Sequence, residues 1–127
     1  MAAPADGRIK DHLPAEDITL QRVLDALSDP IRRKIVHELA ASDQPVVCGA
    51  FDIDVTYSTR THHFKVLRHA GIIRQHYEGT MKMNTLRRDD LDAAFPGLIE
   101  AILNAATREA TELGSRNLAS RGRAYQA

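Results

Sequence analysis

The sequence predicts a mainly α-helical domain of about five helices that carries one two-stranded β-hairpin, on three observations. The first is the stretch from Val55 to Ile73, VTYSTRTHHFKVLRHAGII. Thr56 supplies an N-cap there, Phe64, Leu67 and Ala70 recur at helical spacing, and Gly71 stands where a helix of about four turns stops. The second is the segment that follows. Ile72–Tyr77 and Met81–Leu86 have strand character, with Glu78-Gly79-Thr80 as the turn between them. The third is that amphipathic helical segments flank this helix and hairpin on both sides.

In chain order, residues 1–16 (MAAPADGRIKDHLPAE) are polar, contain Pro4, Gly7 and Pro14, and are expected to form a flexible arm. Asp17 can cap a first helix with Ile18, Leu20, Val23, Leu24 and Leu27 as its apolar positions. Asp29 as N-cap and Pro30 at the first helical position start a second. Its Ile31, Ile35, Val36 and Leu39 turn inward, while Arg32, Arg33, Lys34 and Glu38 face outward. A short helix through Cys48-Gly49-Ala50-Phe51 is expected next, weakened by Gly49. After the hairpin, Asp89 to Ala94 forms a brief helical piece. Pro96 opens a final helix with Leu98, Ile99, Ile102, Leu103, Ala106, Ala110 and Leu113 on one side, and Gly114 closes it. The folded domain is thus 17–114, with 115–127 as a flexible tail. Helix, helix, short helix, helix, hairpin, helix is the order of a winged helix-turn-helix.

At 127 residues the chain suits one domain that buries roughly two-thirds of its unfolded surface. No apolar run is long enough for a membrane span or a signal-peptide core, so no membrane partner is expected. The single cysteine, Cys48, excludes an internal disulfide framework and fits a cytoplasmic location. Net charge is zero, but it is segregated. Val55 to Arg88 holds seven basic residues (Arg60, Lys65, Arg68, Arg74, Lys82, Arg87, Arg88) against one acid, Glu78. Residues 1–54 sum to −4, residues 89–113 to −5 and the tail to +3. A basic centre that coincides with a helix-turn-helix is the footprint of a surface for a polyanion.

The outer face of the Val55–Ile73 helix carries Ser58, His62, Lys65 and His69, and no carboxylate occurs between Val55 and Tyr77. A major groove about 12 Å wide admits one such helix, and base edges are read from its N-terminal half. Tyr57, Ser58, Thr59, Thr61, His62, Lys65 and Arg68 are the expected contacts from the helix, with Arg74, Lys82 and Arg87 from the hairpin on the DNA backbone or minor groove. Arg60 is an exception, because it shares the stripe of Phe64 and Leu67. Either its stem lies along the core edge with the guanidinium in water, or it pairs with Asp52 or Asp54. Enzymatic motifs are missing: there is no Gly-rich phosphate loop, no G-x-S-x-G and no H-E-x-x-H. Neither Asp89-Asp90 nor His62-His63 converges on one substrate, since neighbours on a helix point about 100° apart.

The strings LDALSDPIRRKIVHELA, STRTHHFKVLRHAGII and YEGTMKMNTLRRDDLDAAFPGL resemble the ArsR/SmtB group of bacterial transcriptional regulators, from roughly Ile18 to Leu113. The resemblance implies a homodimeric winged-helix repressor joined through its first and last helices. Its recognition helix, about 56–70, would enter the major groove of double-stranded operator DNA carrying an inverted repeat, and its wing, about 73–87, would touch the backbone or minor groove. Arg60 stands where that group often has an apolar residue. The large apolar faces of Ile18–Leu27 and Leu98–Leu113 also call for a partner copy. Many members release DNA on binding a metal or another signal, and two metal placements are known in the group. Neither is matched: Cys48 lacks a Cys-x-Cys partner, and the last helix has acids but no histidine follows His76. His12, Cys48 and His63 remain as candidates for a non-standard Ni or Zn site. The paired histidines are otherwise groove contacts or packing residues. The alternatives to a DNA-binding repressor are therefore a metal-responsive sensor with such a site and a winged-helix protein-interaction module without DNA binding.

Overall fold

A computed structural model describes residues 8–126, with side chains through 114. Helix α1 (Leu20–Leu27) begins later than expected. Thr19 caps it, accepting the Arg22 N–H at 3.2 Å, and Asp17 instead lies in a 3₁₀ turn, Ala15–Asp17. The reason is Ile18, which is buried in an extended conformation and leaves no room for helix before it. Asp29 caps α2 (Pro30–Ala40) as expected, taking the N–H groups of Ile31 and Arg32 at 2.8 and 3.1 Å. Arg32 and Arg33 fold back rather than pointing to solvent. Their guanidinium groups donate to Ala26 O and Asp25 O, and to Leu27 O and Ser28 O, closing the orphan carbonyls of α1.

The short helix expected through Cys48–Phe51 is a single 3₁₀ turn, Cys48–Ala50, and a strand not expected from the sequence, β1 (Val46–Val47), precedes it. Its two β-branched residues, Val46 and Val47, pair with Asn84 and Met83. Helix α3 (Tyr57–His69) is capped by Thr56 and ends at Gly71, whose φ of +80° lets the Ile72 N–H return to Leu67 O at 3.0 Å. The hairpin is β2 (Ile73–Glu78) against β3 (Met81–Leu86), in register from Ile73↔Leu86 to Glu78↔Met81. With β1 it makes a three-stranded antiparallel sheet in the order β1-β3-β2.

Helix α4 (Arg88–Ala94) lies where it was expected. Pro96 does not open α5 (Leu98–Gln126), since Pro96 and Gly97 form the turn before it. Nor does Gly114 close α5, which continues through it to Gln126. An isolated glycine costs a helix only about 1 kcal/mol, and Arg, Leu and Ala beyond it are good helix formers. The core joins Val23, Ile35, Val36, Leu67, Ile72, Ile73 and Leu91, all fully buried, with Phe51 against the edge of Phe64 at 5.2 Å.

The expectation of a loose arm fails for its described part, while residues 1–7 lie outside the described residues. Arg8 bridges to His76 on the edge of β2, Asp11 pairs with Arg68 and His69, and Leu13 O accepts from Arg87 at 2.6 Å. Polar groups on the folded surface, absent from any reading of 1–16 in isolation, hold it there.

Candidate nucleic-acid interface

The outward face of α3 is built as the helical period requires. Tyr57, Ser58, Thr59, Thr61, His62 and Lys65 are all exposed, Tyr57 to 84%, while His63, Phe64 and Leu67 are buried. Thr56 accepts the Thr59 N–H at 3.2 Å and clusters with the Ser58 and Thr59 hydroxyls. No acidic side chain lies in the first turn. The helix N-terminus therefore keeps its positive end without an internal anion.

Arg60 follows neither expectation. Its half-buried guanidinium pairs with neither Asp52 nor Asp54, but donates to Cys48 O at 2.8 Å, Phe51 O at 3.1 Å and Ile53 O at 3.1 Å. One planar group with several donors thus gathers three carbonyls of the loop before α3 and fixes that loop to the first turns of the helix. Lys34 adds a bond to Asp52 O from α2.

Arg68 and Arg87, expected to contact DNA, are corrected by their burial, at 9% and 5% exposed. Arg68 donates to Gln75 Oε1 at 2.7 Å and to Asp11 Oδ2 at 3.0 Å. Arg87 donates to Asp90 Oδ2 at 3.0 Å and to Leu13 O. Arg88 likewise caps Ala40 O at 2.7 Å. Of the seven basic residues between Val55 and Arg88, Lys65, Arg74 and Lys82 make no bond to a backbone carbonyl among the described residues; Lys65, Arg74 and Arg88 are exposed and Lys82 is half-buried. Arg74 is 3.8 Å from Asp90 with its side chain 58% exposed, and Lys82 lies 6.0 Å above the Tyr77 ring on the wing.

A buried polar chain runs across the wing beneath this face. From Arg68 it passes to Gln75, whose Nε2 donates to Asn84 Oδ1 at 2.8 Å, and Asn84 Nδ2 donates to Val46 O at 3.0 Å and lies 3.1 Å from Cys48 Sγ. Arg60 bonds the carbonyl of the same Cys48. Helix α3, the wing and β1 are therefore bonded to one another. Sequence inspection missed Gln75 and Asn84. The signal was available in part, since both stand on strands at positions that the hairpin register makes opposite partners.

The three metal candidates are not brought together, and the described residues hold no cluster of three or more His, Cys, Asp or Glu side chains. Each has its own partners. His12 Nδ1–H donates to Ile9 O at 2.8 Å and Nε2 accepts the Gln75 N–H at 2.9 Å, so both ring nitrogens are taken. His63 Nδ1 accepts from Arg32 at 3.1 Å. Burial lowers the pKa of both rings, helped for His12 by the charges of Arg68, Arg74 and Arg87 and for His63 by Arg32 and His62. For Asp11 and Asp29 burial acts upward but is outweighed. The His69 hydrogen bond and the Arg68 charge hold Asp11 low, and the Arg32 and Ile31 amides with the Arg32 charge hold Asp29 low.

No protein-family model matches the chain. Among curated proteins it is similar to an uncharacterized HTH-type transcriptional regulator, YceK, of Bacillus subtilis. The two are 29% identical over 90 residues, covering 69% of this chain and 90% of that protein. It is also similar to the cadmium resistance transcriptional regulatory proteins CadC of Listeria innocua and Lactococcus lactis. These are 38% identical over 56 residues, covering 43% of this chain and 47% of each relative. The crystal structure of an ArsR family transcriptional regulator superimposes with a TM-score of 0.53 at 23% identity, covering 76% of this chain and 96% of that one. No helix among the described residues is long and apolar enough to cross a membrane. The helix-turn-helix and the wing give the chain a winged helix-turn-helix fold, and its relatives support a transcriptional regulator similar to those of the ArsR/SmtB group.

Proposed function

We propose that the protein is a homodimeric repressor that binds an inverted-repeat operator, with α3 in the major groove and the β2–β3 wing on the flanking backbone or minor groove. The observation that carries the reading is the acid-free outward face of α3, where Tyr57, Ser58, Thr61, His62 and Lys65 stand exposed while the opposite face is locked into the core. Hydroxyls and an imidazole near a helix N-terminus offer donors and acceptors to base edges, and the helix N-terminus itself can receive a phosphate oxygen. Arg74 and Lys82 supply point charges from the wing. The dimer would form through α1 and α5, where Leu20, Leu24 and Leu113 remain 47%, 43% and 49% exposed. In-vitro selection from random duplex DNA, followed by hydroxyl-radical footprinting, tests this. Two protected half-sites separated by about one helical turn, roughly 10 bp centre to centre, are expected. No enrichment of any sequence would overturn the proposal.

A further inference from the structure

One groove is left unexplained by this reading. It lies between the docked arm, α1 and the outward side of α3, with a volume of about 800 Å³. Its floor is apolar, from Leu13, Pro14, Ala26, Val66 and Ala70, and its rim is charged. The charges are not balanced in kind. Both rim carboxylates are already engaged: Asp11 accepts from Arg68 and His69, and Asp25 accepts from Gln21 at 2.8 Å. Arg22, His62 and Lys65 line the same groove, are exposed, and have no side-chain hydrogen-bond or ion-pair partner among the described residues. Three open donors above an apolar floor fit a ligand with an anionic head and an apolar body.

We propose that this groove binds a small amphipathic organic anion, of the aromatic or alkyl carboxylate class, with its head between Arg22 and Lys65 and its body against Leu13 and Val66. The arm forms one wall, so the site exists only while Asp11, His12 and Leu13 hold their bonds to α3, β2 and Arg87. Occupancy also has a consequence for DNA, which rests on the function proposed above. His62 and Lys65 belong both to the groove and to the DNA-facing side of α3, so ligand and DNA compete for them and each weakens the other.

The test is a titration of the ¹⁵N-labelled full chain with 2-naphthoate, followed by amide shifts, with neutral 2-naphthamide as the charge control. Saturable shifts confined to residues 11–14, 22–26 and 62–70 are expected, weakened about fivefold by Arg22→Ala and restored by Arg22→Lys. Absence of saturation, unchanged binding in Arg22→Ala, or equal binding of the amide would overturn the site. Competition is read separately, as displacement of selected operator DNA by 2-naphthoate in wild type and its attenuation in Arg22→Ala. Naphthoate binding without any DNA binding by the free protein would reject the DNA reading and leave the groove standing. DNA binding without naphthoate shifts would do the reverse.

Discussion

At the scale of single residues, the donors of a few long side chains decide how the site is held. Arg60 satisfies three loop carbonyls at once, so removing it leaves part-buried acceptors without donors. Arg60→Ala should lower unfolding free energy by about 1–3 kcal/mol in urea denaturation, and Arg60→Lys should recover only part, since one ammonium cannot span three carbonyls in a plane. His12 is fixed as the neutral Nδ1–H tautomer, because its Nε2 accepts the Gln75 N–H, and His63 is neutral where it accepts from Arg32. Their folded pKa values lie below the ordinary histidine value. The unfolded chain therefore binds more protons as pH falls through about 6.5, and this part of the stability is complete above that pH and lost below it. The midpoint of thermal unfolding should be lower at about pH 5.5 than at about pH 7.5, and the difference should shrink in a His12→Gln, His63→Gln double variant. Asp11 and Asp29 act in a separate window, since their lowered pKa values make stability fall only as pH drops below the ordinary value of 3.8.

Among the elements, α3 and its exit turn concentrate the constraints. Gly71 combines a φ of +80° with Ile18, whose Cγ1 lies 2.6 Å from where a Cβ would stand. Gly71→Ala should destabilise by about 1–3 kcal/mol, measured by denaturant midpoint, with any loss of DNA affinity following from that loss of fold. The helix itself was legible in the sequence, because Thr56, the Phe64–Leu67 spacing and Gly71 are local signals that agree with one another. The fate of the basic residues was not. Between Val55 and Arg88, the guanidinium groups of Arg60, Arg68, Arg87 and Arg88 are spent on carbonyls, amides and carboxylates inside the domain, while Lys65 and Lys82 are not. A count of charges cannot separate the two uses, since the acceptors lie up to 74 residues away in sequence. β1 was missed for a related reason: two residues show no period, and only their partner strand makes them a strand. The docked arm likewise depends on Arg68, Gln75 and Arg87, contacts that exist only after folding. Arg68→Met should accordingly cost stability, whereas Lys65→Ala should weaken DNA binding with the thermal midpoint unchanged, compared by calorimetry and fluorescence anisotropy.

For the whole molecule, the proposed assembly joins two copies through α1 and α5 so that two α3 helices face one side of a duplex. Leu20→Glu with Leu24→Glu should place charge on the exposed apolar face of α1 and give a monomer in sedimentation velocity, and the loss of paired half-site contacts should follow. Each copy offers Lys65, Arg74 and Lys82 as cations on α3 and the wing, three in one copy and six in a dimer, and six neutralised phosphates imply a slope of log K against log salt of about −5. The central claim is that the outward face of α3 reads DNA. It is tested most directly by anisotropy titrations of a selected inverted repeat across a salt series, with wild type and a Ser58→Ala, His62→Ala double variant. Wild type should show a slope of about −5, and the variant should lose at least about tenfold in affinity with its fold and slope retained. Equal affinity of the two proteins for that repeat, or no binding by wild type at low salt, would contradict it.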